Sequence, residues 1–186
     1  MSNVRLLKHA IRHTKNTMTI DDLTVNFAYL GADRLLSDWR WLIDSSKSRF
    51  VRLISSASKL PVLITAGGNA FVQDVKSGTV HYLDTVEGTL TQVCTSPQDF
   101  RQQLSKQEFV KQHFSIEMVS ALRQAGVTLS SKQVYSFKVP PALGGQFDLS
   151  NIEASDIELH FSMSGQIHRQ IANVSAGTQI KNIKIR

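Results

Sequence analysis

Three arrangements of residues in this 186-residue chain could do chemistry, and each also has a plain structural reading. Asp74, His81 and Asp84 lie on short neighbouring segments, and a histidine between two carboxylates is the set a hydrolase uses as general base. A strand over residues 79–84 puts His81 and Asp84 on opposite faces, so that set does not assemble simply. Cys94 has no flanking protease pattern and reads as a small buried hydrophobe. His160 and His168 are eight residues apart, a rise of about 12 Å on a helix, too far to share a metal. His9 and His13 would share one helical face beside Lys8 and Arg12, but two ligands without a third make no metal site. Gly67-Gly68-Asn69 and Gly144-Gly145 are too short for a phosphate-binding loop, and no G-x-S-x-G elbow occurs. The inventory predicts no catalysis, no metal and no cofactor.

One polar cluster stands out. Gln166, His168 and Arg169, with Gln170, surround Ile167 near the end of the last apolar-periodic segment. Arginine and amide groups of this kind build recognition surfaces, so Gln166, His168 and Arg169 are the candidate partner-binding residues. The alternative is that they tie a helix to nearby backbone carbonyls.

The elements that must position these residues follow from periodicity. Leu35, Leu36, Trp39, Leu42 and Ile43 share a helical face, with Asp33 at the positive end of the helix dipole. Trp39 and Trp41 would lie roughly 200° apart on that helix, one in the core and the other against a neighbouring segment. The serine-rich stretch over 45–58 keeps Phe50, Val51, Leu53 and Ile54, so it reads as a packed helix or turn. Strands are predicted over 60–65, 70–75, 79–84 and 90–94, joined by glycine turns as an antiparallel meander. Ser96 then caps a helix with Pro97 in its first turn, and Phe100, Leu104, Phe109 and Val110 supply apolar contacts. A further helix runs near 116–125, with Met118, Val119 and Leu122 inward and Gly126 closing it. Residues 133–139 read as a strand ended by Pro140-Pro141. Ser155 and Glu158 form a capping box that opens a helix along Leu159, Met163, Ile167 and Ile171, despite Gly165. A strand over 157–163 is the second choice. Ile180, Ile183 and Ile185 make an edge strand or a frayed tail. The fold class is α+β, an antiparallel central meander with helices packed on it.

Hydrophobic residues are 41% and charged residues 19%, which excludes an intrinsically disordered chain. The longest apolar stretch is far too short to span a membrane, and the basic N-terminus lacks a signal-peptide core. One cysteine fits a reducing compartment, so a cytoplasmic protein is expected. The net charge of +6 is uneven: ten Lys/Arg face five Asp/Glu in residues 1–60, eight face ten in 61–171, and three face none in 172–186. Basic ends can touch phosphates, but no DNA- or RNA-binding motif is present and direct nucleic-acid binding is not expected. Residues 1–19 read as a basic appendage, with Met18 as an alternative start, and residues 20–186 as a single α+β domain. The residues leave the oligomeric state open.

Several segments carry a family resemblance. Asp38-Trp-Arg-Trp-Leu-Ile, the run Pro61-Val-Leu-Ile-Thr-Ala-Gly-Gly-Asn-Ala-Phe and Tyr82-Leu-Asp-Thr-Val-Glu-Gly are three of them. Tyr135-Ser-Phe-Lys-Val-Pro-Pro-Ala-Leu-Gly-Gly and Gly165-Gln-Ile-His-Arg-Gln are the most specific. Together they resemble the C-terminal domain family of type VI secretion system immunity proteins, a former domain of unknown function with a looser likeness to the SUKH superfamily. The resemblance implies an α+β fold and a non-enzymatic role, binding and neutralising a cognate protein toxin. A nuclease is one candidate toxin, although an inhibitor of a basic nuclease is often acidic and this chain is not. The resemblance brings no catalytic residues. A general interaction or scaffold module of the same fold, with no toxin partner, is the alternative.

Overall fold

A computed structural model describes residues 18–27, 31–44, 59–175, 178, 180 and 182–186. The His9/His13 segment and the serine-rich stretch lie outside the described residues.

The α+β expectation is borne out. Five strands, β1 (Thr24–Val25), β2 (Lys59–Thr65), β3 (Ala70–Asp74), β4 (Val80–Asp84) and β5 (Thr89–Cys94), form one sheet in chain order. Every neighbouring pair is antiparallel. The two hairpins that close on Gly78 and Gly88 use one device. Asp74 Oδ1 accepts the backbone N–H groups of Lys76 and Ser77, both at 2.9 Å. Asp84 Oδ1 likewise accepts those of Val86 and Glu87, at 2.9 and 3.0 Å. Gly78 and Gly88 complete the turns at φ 76° and 66°, where a side chain would be strained.

Both sheet faces are covered. On one face Phe71 and Val80 pack with Phe100, Phe114, Val119 and Leu122 from α3 (Pro97–Gln103), α4 (Gln107–His113), α5 (Ile116–Gln124) and their junctions. Ser96 caps α3 as its sequence predicts, accepting the Asp99 N–H at 3.1 Å. On the other face Ala70, Val72 and Leu83 pack against Trp39, Ile43, Ile157 and Phe161. Alternation along β3 sends Phe71 to one core and its two neighbours to the other, as the strand period requires. A second sheet pairs β6 (Gln133–Phe137) with β7 (Ile152–Asp156). It joins the end of β2 through Tyr135 N–H to the Ala66 carbonyl at 2.8 Å. The last helix, α6 (Ile157–Ile171), closes the second core.

Three local expectations change. The helix expected over 33–43 is three pieces: α1 (Ala32–Leu35), a 3-10 turn (Ser37–Trp39) and α2 (Arg40–Ile43). These breaks interrupt the helical phase, and the Trp39 and Trp41 rings stack at 6.3 Å instead of facing apart. Ser155 is not the cap of α6. It lies in β7, and Asp156 Oδ1 accepts the N–H groups of Glu158 and Leu159 at 2.9 and 3.1 Å. The four-residue recurrence of Leu159, Met163, Ile167 and Ile171 does not mark one buried face, because it drifts about 40° per step. Ile167 is buried, while Leu159 and Met163 are exposed. Among the described residues, no helix is long and apolar enough to cross a membrane.

Candidate functional site

The motifs read along the sequence converge where α6 docks on the meander, and two histidines make the contact. His160 Nε2 lies 2.9 Å from the Gly68 carbonyl. A carbonyl only accepts, so Nε2 carries the proton and Nδ1 accepts the Ser136 hydroxyl at 2.8 Å. Two turns on, His168 Nε2 donates to the Thr85 carbonyl at 3.0 Å, with its ring against Trp39. Each imidazole sits over a glycine with positive φ. A Cβ on Gly68 would fall 2.5 Å from His160 Nε2, and one on Gly88 would overlap the His168 ring. Burial pushes the His160 pKa down to about 4 and also lowers that of His168, so both rings are neutral near pH 7. Asn69 completes the polar seam, its Oδ1 accepting Thr85 N–H at 2.9 Å and its Nδ2 donating to the Tyr82 hydroxyl at 2.7 Å.

On the neighbouring side of α6, Gly165 lets the helix touch the turn before α2. A Cβ there would fall 2.8 Å from the Asp38 backbone. This close approach explains a glycine that helical propensity alone disfavours. Ser162 Oγ donates to Asp38 Oδ2 at 2.6 Å beside that contact. The Asp38-Trp-Arg-Trp and Gly165-Gln-Ile-His motifs are therefore two halves of one joint.

The outward side differs in character. A cavity of about 120 Å³ lies between α6, β6 and Pro140-Pro141, with Ser136, His160 and Met163 in its lining. A second, of about 620 Å³, is lined by Trp41, Phe147, Ile171 and Ile180. Val86, Pro141 and His168 line both. Around them five large apolar side chains face solvent: Val139, Phe147, Leu159, Met163 and Val174, at 49%, 47%, 51%, 37% and 41% exposure. The loop carrying the first two is held stiffly. Asn151 accepts Val139 N–H at 3.0 Å and donates to the carbonyls of Val139 and Gln146, both at 2.9 Å. Gly144 takes φ 91°, and a Cβ on Gly145 would overlap the Val139 carbonyl, which accounts for the Gly-Gly pair. Phe147 packs edge-on against Phe137 at 5.4 Å.

The candidate recognition residues do not share one face. His168 points inward to Thr85. Gln166 donates to Ser162 Oγ at 3.0 Å and meets the backbone of Arg186. Arg169 is exposed. The carboxylates of the hydrolase set are engaged in the hairpin turns, and Asp74 also pairs with Lys59 at 3.4 Å. Burial, and then Lys59, lower the His81 pKa. Cys94 is buried, which raises its thiol pKa. Among the described residues no three His, Cys, Asp or Glu side chains gather to hold a metal ion.

Sequence reasoning missed the Ser136–His160 pair and the apolar rim. The pair resembles a nucleophile with its base, yet an imidazole with pKa about 4 is a weak proton acceptor at neutral pH. Its geometry holds α6 against β6. The rim had one readable signal, Phe147 standing alone just after the Gly-Gly turn.

Residues 95–168 match the family described as "T6SS immunity protein Tdi1, C-terminal", in agreement with the resemblance read from the motifs. The matched stretch runs from the end of β5 to His168 and includes Val139, Phe147, Leu159 and Met163. A search of curated proteins finds no match. Among solved structures the fold is similar to the crystal structure of Atu4351 from Agrobacterium tumefaciens, with a TM-score of 0.52 and 16% identity. That similarity covers 73% of this chain and 64% of the other, so this chain spans less than two thirds of that protein's length.

Proposed function

We propose that this chain neutralises a type VI secretion toxin by binding it, and that the binding face is the apolar rim around the two cavities. The observation that carries the reading is a coincidence of place. The residues that match the immunity family also hold a stiff, outward-facing group of four large apolar side chains. Exposed apolar groups beside cavities are what a protein partner covers, and a loop already fixed by Asn151 loses little freedom on binding. Arg169 is exposed, while Gln166 and His168 act by holding the helix that presents this face. The mechanism is occlusion of the toxin and needs no catalytic group. It operates in the cytoplasm, and a nuclease is the toxin class that the family resemblance suggests.

The test is a calorimetric titration of purified chain with the toxin encoded beside its gene. A standard interface of about 1,600 Å² is expected. Phe147→Asp should weaken binding about a hundredfold while leaving the circular dichroism spectrum unchanged. Full affinity in that variant would remove the rim from the interface, and no affinity in the wild-type chain would favour a scaffold role.

A further inference from the structure

The outward stripe of α6 also carries a device that reads peptide backbone. Leu159, Met163, Gln166 and Gln170 are spaced i, i+4, i+7 and i+11, and fall within a stripe about 60° wide. Gln170 Oε1 accepts the backbone N–H of Lys184 at 3.1 Å, and its Nε2 donates to the Lys184 carbonyl at 2.9 Å. Gln166 does the same at Arg186, at 2.8 and 3.3 Å. The two registers match, because four helical residues rise about 6 Å and two extended residues advance about 6.6 Å.

Both amides keep a second tether that does not involve residues 184–186. Gln166 Nε2 donates to Ser162 Oγ at 3.0 Å, and Gln170 Nε2 to the Gln166 carbonyl at 3.1 Å. The receptor side is thus set in advance. Residues 184 and 186 contribute only main-chain atoms to these four bonds, so any extended segment with free N–H groups at alternate residues fits, and proline does not. Its direction matters too. The segment runs from Gln170 to Gln166, antiparallel to α6, and so points along the stripe at Met163 and Leu159. Both remain exposed. An incoming strand that kept the four bonds and ran on for about four residues would cover them as well. Hydrogen bonds would be exchanged like for like, and the apolar contact would be a net gain.

We infer that this stripe is an extended-peptide site, held by residues 184–186 in the free chain and taken over by a β-extended segment of the protein partner. The partner's identity rests on the toxin-binding reading; the site itself does not. The test uses the full chain and a synthetic nine-residue peptide, Asn-Ile-Lys-Ile-Arg followed by Val-Thr-Val-Thr. By NMR the peptide should shift the side-chain amide signals of Gln166 and Gln170 and the Met163 methyl saturably, and speed the hydrogen exchange of the Lys184 and Arg186 amides. A control peptide with proline as its third and fifth residues should bind at least about tenfold more weakly, as should the peptide to Gln166→Leu/Gln170→Leu. No saturable shift, or equal binding of both peptides, overturns the proposal. Phe147→Asp probes the toxin interface separately, so either reading can fail while the other stands.

Discussion

The two long sides of α6 each carry an exception to the usual placement of polar and apolar groups. Its inward side buries His160 and His168, each hydrogen-bonded to a backbone carbonyl of the meander. Its outward side leaves Leu159 and Met163 in solvent, as Phe147 and Val139 are on the loop between β6 and β7. Buried imidazoles are tolerable only when their nitrogens are matched, and the matching partners fix where the helix sits. Exposed apolar side chains contribute little to the fold, so their grouping on a stiff surface points to something outside the chain. Inward substitutions should therefore change stability, and outward ones binding.

The inward side should be the most sensitive. Gly88→Val places a side chain in the left-handed region and against the His168 ring, and is expected to cost about 3 kcal/mol or more in urea unfolding. Adding His168→Ala should return part of that loss, and strict additivity of the two changes would show that the ring contact is not the cause.

Acid should open the same joint. The folded-state pKa of His160, about 4, lies below its ordinary value of 6.5, so protonation favours the unfolded chain. The contribution is intact above pH 6.5 and is lost as the pH falls to about 4, to a total near 3 kcal/mol. Burial of His168 acts in the same direction. Denaturant midpoints between pH 7 and 4 measure this, and His160→Gln should flatten the pH dependence. An equally steep slope in that variant would assign the effect to other groups.

Gly165→Val should cost about 2 kcal/mol, because contact with the Asp38 backbone outweighs any gain in helix propensity. A stabilised variant would mean that the turn before α2 moves away easily. The smallest effect on folding belongs outside. Leu159→Ser should shift stability by no more than about 0.5 kcal/mol, read from the same urea curves, because its side chain already faces water.

Much of this frame was legible in the sequence, for physical reasons that differ by element. The meander shows because its strands are short and its turns are marked by Asp74, Gly78, Asp84 and Gly88, local chemistry that acts without tertiary help. The Ser96 cap shows for the same reason. β7 was hidden because Ser155 and Asp156 both suit a helix cap, and only pairing with β6 holds the chain extended up to Asp156. The broken helix around Trp39 was hidden because apolar spacing is insensitive to a change from α to 3-10 winding. The polar cluster at 166–170 was visible as a cluster, but its division between an inward His168 and outward Gln166 and Arg169 depends on where the meander lies. The rim left only Phe147 as a sign in the sequence, because the positions of Val139 and Phe147 are set by a loop that Asn151 pins from a distance along the chain.

The most direct measurement is the toxin affinity of Leu159→Ser/Phe147→Ser beside that of Gly165→Val, each with its unfolding free energy. The outward pair should lose about a hundredfold in affinity at nearly unchanged stability, while the inward variant should lose stability and keep its affinity wherever it remains folded. An outward pair that binds as tightly as the wild-type chain would contradict the division of labour between the two sides of α6.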